Sequence, residues 1–219
     1  MQRVGRIVLA LVLPAAALTA AGAGIQIVDT RILTQNELPA VDRATHELTL
    51  HLYRFRNSRW TEPEIVSATV QVSRLLAPCA VALARAEVRT LDVDHGFHFY
   101  STPVSRELVR ALKPAKPAVF FVEDTRNRPA FDAEAIGRAN AATRPELADT
   151  IWVAYGARDL PYALAHELVH VLTDSGEHSD QPGNLMRTET SPQNATLTAF
   201  QCERLRTRGQ EHGLLAPHL

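Results

Sequence analysis

The segment DLPYALAHELVHVL, residues 159–172, constrains the fold most, because it predicts a helix that is apolar on most sides. Pro161 suits the first turn, where its missing N–H would have no intrahelical acceptor. The apolar residues around the polar ones are Leu164, Leu168, Val169, Val171 and Leu172. Such a helix is expected to be buried against another layer. His166, Glu167 and His170 are then polar exceptions in a buried setting, and such groups need partners.

The elements around this helix predict a mixed sheet covered by helices. Strands are expected where apolar and polar residues alternate or apolar residues run on, at 48–57, 81–91, 118–123 and 150–156. Helices are expected at 61–77, 103–112, 159–172 and 197–209. Thr61 and Glu64 form a capping box, and Asp159 is placed to cap the third helix. Residues 124–148, rich in polar residues, Ala and Pro, predict an excursion over the surface.

The composition predicts one domain behind a removable leader. The 219 residues are 46% hydrophobic and 21% charged, which suits a single globular core. Residues 1–23 have a basic start, a short apolar run and a final AGA, the layout of a secretory signal peptide. We therefore expect a secreted or periplasmic protein without stable membrane insertion. Residues 24–47 are expected to be an N-terminal extension or short pro-segment, and residues 48–219 the main domain.

Net charge and cysteine content argue against nucleic-acid binding and against thiol catalysis. The formal net charge is −1, so no basic excess favours nucleic acid as a partner. In an exported chain, the pair Cys79 and Cys202 predicts a disulfide, with two buried thiols as the alternative. Neither cysteine has a nearby His or a CxxC partner, which argues against thiol catalysis.

Three residues of the buried helix have the spacing of a metal site. His166 and His170 are four apart and project from one face, so both imidazoles can bind one Zn²⁺ at about 2.0–2.1 Å. Glu167 points about 100° around the axis, beside the metal, which suits a base acting on metal-activated water. The alternative is a pair of core histidines, because H-E-x-x-H also arises by chance. The apolar surroundings and the preceding strand favour the metal site.

A third ligand is expected from the loop after the helix, because a catalytic zinc has three protein ligands and one open position. Asp174, Ser175 and Gly176 are turn formers that let the chain reverse, so that His178 can approach the metal. Asp174 and Glu177 are alternative carboxylate ligands. His178 is favoured because zinc sites prefer His and the turn directly precedes it.

A second polar cluster lies in DVDHGFHFYST, residues 92–102. Its candidate ligands are Asp92, Asp94, His95 and His98. A structural metal there is the alternative to a solvated loop. We favour the loop, because no helix or turn motif fixes the ligand geometry.

The stretch HELVH…GEHSDQPGNLM resembles the metzincin clan of zinc metalloproteases, and most closely its matrixin branch. That branch has H-E-x-x-H-x-x-G-x-x-H, then Ser, a nearby Asp, and a methionine eight residues past the last His. Here Ser179 and Asp180 follow His178, and Met186 lies eight residues on. The close match covers only about residues 163–186.

The resemblance implies a zincin-like, metzincin-like α+β fold: a mixed sheet, an active-site helix and a small C-terminal subdomain. The implied ligands of one catalytic Zn²⁺ are His166, His170 and His178. Glu167 is implied as the catalytic base and Met186 as the Met-turn beneath the metal. The resemblance also implies that TIWVAYG, residues 150–156, is the sheet-edge strand along which an extended peptide lies.

The chain departs from the matrixin pattern in two places. Seven residues rather than five separate His170 from His178, so the loop to the third ligand is longer. The residues after Met186 read RTET, so no phenol partner for an oxyanion is present there. The sequence predicts an exported, monomeric zinc endopeptidase that acts on a peptide or protein substrate. The alternative is a zincin-fold metal- or peptide-binding protein without turnover, against which the presence of Glu167 argues.

Overall fold

The computed structural model describes residues 24–218, so the predicted signal peptide lies outside the described residues. The strands are β1 Gln26–Leu33, β2 His46–Phe55, β3 Val81–Asp92, β4 Phe99–Tyr100, β5 Ala118–Val122, β6 Asp124–Thr125, β7 Ala133–Ile136, β8 Thr150–Ala154 and β9 Leu215–Pro217. The helices are α1 Glu62–Leu76, α2 Thr102–Leu112, α3 Leu160–Thr173 and α4 Ala199–Glu211. Within residues 24–218, no helix is both long and apolar enough to cross a bilayer.

One mixed sheet organises the molecule. Its strand order is β1-β3-β2-β5-β8-β7, and β9 adds to β2. Strands β3, β2, β5 and β8 run parallel to one another, whereas β1, β7 and β9 are antiparallel to their neighbours. The short strands β4 and β6 form a separate parallel pair. The predicted α+β architecture with a mixed sheet is therefore confirmed.

The alternation of β2 divides the core between the two faces of the sheet. Leu48, Leu50 and Leu52 belong to the cluster that α1, α3 and α4 cover. Tyr53 and Phe55 belong to the cluster on the opposite face, which α2 covers. Because successive side chains of a strand point to opposite faces, one segment supplies both layers.

The starts of α1 and α3 differ in how they are capped. At α1 the predicted capping box is present, with Thr61 and Glu64 bonded reciprocally. At α3 the predicted cap is absent: Asp159 is the N-cap residue, but its side chain makes no capping hydrogen bond. Its φ of 50° and ψ of 46° are left-handed, whereas a capping side chain needs an extended backbone to reach the first turn.

The edge of the sheet next to α3 is β7, which corrects the expectation that residues 150–156 form the edge strand. Strand β8 lies inside the sheet between β5 and β7, and all five of its residues are buried. β7 falls within the predicted excursion, residues 124–148. Its four residues, AEAI, are too few and too rich in alanine to produce a recognisable strand pattern.

The N-terminal and C-terminal segments of the described chain each add a strand to the sheet. Residues 24–47, expected as an extension or pro-segment, contribute β1, which pairs with β3. After α3, a long loop leads to α4 and then to β9, which pairs with β2. A disulfide joins Cys79 to Cys202 with Cα atoms 4.8 Å apart, as predicted, and ties α4 to the turn after α1.

Candidate metal centre

Three histidines converge beside α3, as the sequence predicts. His166, His170 and His178 each offer a ring nitrogen, and these atoms all lie within 4.8 Å of one another. His166 is buried, His170 is half-buried and His178 is exposed. The four-residue spacing on α3 places the first two rings together, and the loop after α3 returns the third. In residues 24–218 no other group of three His, Cys, Asp or Glu side chains has this geometry.

Backbone carbonyls fix the protonation of the two helical histidines. His166 Nδ1 lies 2.8 Å from the carbonyl oxygen of Leu185, and His170 Nδ1 lies 2.6 Å from that of Ser175. A carbonyl oxygen can only accept, so both Nδ1 atoms carry the proton and both Nε2 atoms present lone pairs. This is the usual arrangement of metal-ligating histidines, whose second nitrogen donates to a carbonyl or carboxylate.

The two Nε2 atoms lie 2.9 Å apart. At this distance the lone pairs of two neutral imidazole rings repel each other. A cation bound by both nitrogens removes that repulsion. Burial lowers the pKa of His166, and burial together with His166 lowers the pKa of His170 to about 4. Both rings are therefore held in the neutral form that binds metal, and the donor set fits a divalent ion such as Zn²⁺.

The alternative carboxylate ligands are engaged elsewhere. Asp174 Oδ1 accepts the backbone N–H of Ala139 at 3.0 Å. Glu177 forms an ion pair with Arg204 on the exposed surface. Of the three candidates in this loop, only His178 joins the two helical histidines.

Glu167 faces the cavity beside the histidines. It is half-buried, and burial raises the pKa of its carboxyl to about 7, while the backbone N–H of Ala135 opposes that rise. The cavity measures about 330 Å³. Its walls come from three segments, β7 with the residues that follow it, the last turns of α3, and the loop that carries His178.

Strand β7 presents backbone groups that are not bonded to another strand along this cavity, and the N–H of Ala135 among them bonds Glu167. The amide of Ala154 donates to the carbonyl of Asp132 at 2.9 Å, which makes these two residues a hydrogen-bonded antiparallel pair. Because such pairs alternate, Ala133 and Ala135 direct their N–H and C=O groups away from β8, toward the free edge. Their side chains pack on the α3 face.

Met186 follows the third histidine as the resemblance implies and is buried, 3% exposed. It lies beside His178 in the wall of a second cavity, of about 250 Å³, between α3 and α4. The carbonyl of Met186 accepts the backbone N–H of Ser179 at 2.8 Å, so the turn is bonded directly to the loop of the third histidine.

Some candidates lie apart from this centre, and some lining residues escaped prediction. His98 is buried and stacks on Phe55, and the cluster at 92–102 does not form a three-ligand group. Gly137, Ala139 and Asn140 line the cavity, although no sequence pattern had singled them out.

The chain was compared with known proteins. No protein-family model matches it, and no curated protein matches it. Among solved structures it is similar to metalloproteinase-II from Bacteroides fragilis, with a TM-score of 0.51 and 19% identity. The match covers 78% of this chain and 54% of that protein, so the chain spans about half of the other protein's length. At this identity the likeness establishes a metalloprotease fold.

Proposed function

We propose that this protein is a zinc-dependent endopeptidase of the metzincin type. One observation carries the proposal: three histidines form one cluster, and two of them, His170 and His178, line a cavity together with Glu167 and the edge strand β7. The metalloprotease fold supports the reaction class. The extended HExxH pattern and the following methionine support the matrixin branch within it.

His166, His170 and His178 would hold the ion, with the Nδ1 contacts of the first two keeping their Nε2 atoms available. A bound Zn²⁺ supplies Lewis acidity, which lowers the pKa of water to about 7 and polarises a carbonyl oxygen. Three protein ligands leave one position of a tetrahedral site open to water or substrate. Such an open position is typical of catalytic zinc sites and not of structural ones.

The free edge of β7 would bind an extended peptide. The outward N–H and C=O groups of Ala133 and the outward C=O of Ala135 can pair with a substrate strand. These groups carry no side-chain preference, so the backbone of almost any peptide can pair there. Because the same cavity contains Glu167 and His170, the paired peptide bond would lie against the catalytic groups.

Glu167 would transfer the protons. It takes a proton from the attacking water and later gives it to the leaving amine, so one carboxyl serves both steps. Its position beside His166 on α3 fixes it relative to the ligands. Met186 would form a turn beneath the centre, and the Cys79–Cys202 disulfide is consistent with the proposed extracytoplasmic location. We propose that the protein acts as a monomer.

The proposal is tested by incubating the purified protein with a diverse peptide mixture. The expected result is internal cleavage that a chelator abolishes and that added Zn²⁺ restores. A protein that takes up one zinc per chain without cleaving any peptide would instead be a metal- or peptide-binding protein of the same fold. Cleavage that survives chelation would contradict the role of the metal.

A further inference from the structure

The short segment Asn184–Met186 connects two of the proposed metal ligands. The carbonyl of Leu185 accepts the Nδ1–H of His166 at 2.8 Å. The carbonyl of Met186 accepts the backbone N–H of Ser179, the residue after His178, also at 2.8 Å. One segment of three residues therefore fixes the ring of the first ligand and the backbone beside the third.

The side chain of Asn184 holds this segment in place. Asn184 is 2% exposed, and its Oδ1 accepts the backbone N–H of Met186 at 2.9 Å. Its Nδ2 donates to Gln201 Oε1 at 2.8 Å, and its Oδ1 also accepts from Gln201 Nε2 at 3.2 Å. A buried amide bonded in this way has one preferred orientation, because any other leaves polar atoms without partners.

Gln201 is itself anchored at the start of α4. Its Oε1 accepts the backbone N–H of Thr198 at 2.8 Å, and its own N–H donates to Thr198 Oγ1 at 3.2 Å, which completes a capping box. The next residue, Cys202, is bridged to Cys79. Asn184 therefore holds the turn that bonds His166 and Ser179 against a helix end, which the disulfide ties to the body of the domain.

We infer that Asn184, held by Gln201, is a positioning residue for the metal centre and sets the metal affinity through the Leu185 carbonyl and the Ser179 amide. This inference rests on the proposed function. Asn184 touches neither the proposed ion nor the substrate cavity, and it acts through the segment that it holds. Outer partners of this kind fix the tautomer and orientation of a ligand, and their loss weakens metal binding by about 10–100-fold.

The test compares Zn²⁺ dissociation constants, measured by competition with a chromophoric chelator, for the full chain and three variants. Asn184→Ala removes the side chain. Asn184→Asp keeps the acceptor for the Met186 N–H and loses the donor to Gln201. Asn194→Ala is the matched control, because Asn194 lies in the same loop and bonds only the Glu189 carbonyl through its side chain.

We expect Asn184→Ala to bind Zn²⁺ about 10–100-fold more weakly and to alter the visible spectrum of the Co²⁺-loaded protein. Asn184→Asp is expected to bind Zn²⁺ more weakly than wild type and more tightly than Asn184→Ala, because it keeps one of the two contacts, and Asn194→Ala is expected to match wild type. A purely structural role would lower the melting temperature of the metal-free protein without changing the affinity or the spectrum.

Wild-type affinity in a folded Asn184→Ala variant would overturn the inference, as would an equal loss in Asn194→Ala. If Asn184→Ala does not fold, Asn184→Asp decides, and wild-type affinity there overturns the inference. These results leave the proposed function intact. A wild-type chain that binds no Zn²⁺ would overturn the proposed function and this inference together.

Discussion

His178 reaches the candidate metal centre from a loop two residues longer than the matrixin pattern, and neither alternative ligand, Asp174 or Glu177, joins the histidine cluster. The carboxylate of Asp174 caps the backbone of Ala139, and that of Glu177 pairs with Arg204. The extra residues are therefore accommodated within the loop, whose turn begins at the left-handed Asp174. The sequence left three candidates for the third ligand, and substitution of each of them tests which one binds the metal.

We predict that His178→Ala lowers the Zn²⁺ content after dialysis sharply, because a three-ligand site becomes a two-ligand site. Glu177→Ala is the matched control, one residue away and exposed, and it should retain the metal. Asp174→Ala is expected to have a smaller effect than His178→Ala. Retention of zinc by His178→Ala together with its loss from Glu177→Ala would show that the loop follows a different path.

Lys116 has no role in the metal centre and affects stability. Burial lowers the pKa of its amine to about 8, although the Asp149 carboxylate partly opposes the effect. A lysine of the unfolded chain has a pKa of about 10.4, so between pH 8 and 10 the unfolded chain binds more protons than the folded one. The stability penalty from the buried charge is therefore complete below about pH 8 and is relieved as the pH rises toward 10.

We predict that Lys116→Met raises the free energy of unfolding at pH 7 by about 1–3 kcal/mol. The advantage over wild type should shrink as the pH increases from 8 to 10. Asp149 keeps its 2.9 Å ion pair with Arg138 in the variant. Denaturant melts at several pH values measure the difference, with the exposed Lys113→Met as control. An advantage that grows with pH would contradict the assignment.

At the scale of elements, the predicted strands and helices of the central layers match the structure within a few residues. They are recognisable because β2, β5 and β8 bury apolar side chains and because α3 is apolar on most sides. The edge strands were missed for a physical reason. β1 is exposed at seven of its eight residues, and β7 has four residues, so neither shows a strong one-sided pattern.

Some residues of the candidate site could be predicted from local sequence spacing, and others could not, because they depend on contacts between distant segments. His166, Glu167 and His170 follow from the period of one helix, and Met186 follows from its distance to His178. The contact between Asn184 and Gln201 joins two elements 17 residues apart, and no periodicity indicates such a pair. The close approach of Gly137 to Asp174 is also invisible in the sequence, because it joins distant segments. A Cβ at position 137 would lie 3.0 Å from Asp174 Oδ1.

The disulfide links helix α4 covalently to the turn after α1. The bridge between Cys79 and Cys202 closes a sequence separation of 123 residues, which restricts the unfolded chain. We predict that a reductant lowers the free energy of unfolding by about 2–4 kcal/mol. A double variant, Cys79→Ala with Cys202→Ala, should be less stable and insensitive to reductant. If reductant leaves wild type unchanged in denaturant melts, the bridge does not stabilise the domain.

At the scale of the whole molecule, the sheet and α3 bring the free edge of β7, Glu167 and two of the three candidate metal ligands to one cavity. β7 supplies the backbone groups, α3 supplies two histidines and the glutamate, and the turn before α4 is hydrogen-bonded to His166 and to Ser179, which follows His178. Each part is ordinary by itself. We propose that their arrangement around one cavity makes this protein an endopeptidase and not a protein that only stores a metal, and that the distinction depends on Glu167.

The most direct test of this account is the rate of peptide cleavage by zinc-loaded Glu167→Gln relative to zinc-loaded wild type. Glutamine keeps the size of the side chain and cannot accept the proton. We predict a folded variant with equal zinc content and cleavage slower by at least about 10²–10⁴-fold, the usual contribution of general acid–base catalysis. Unchanged cleavage at equal zinc content would contradict the account and assign the proton transfer to another group.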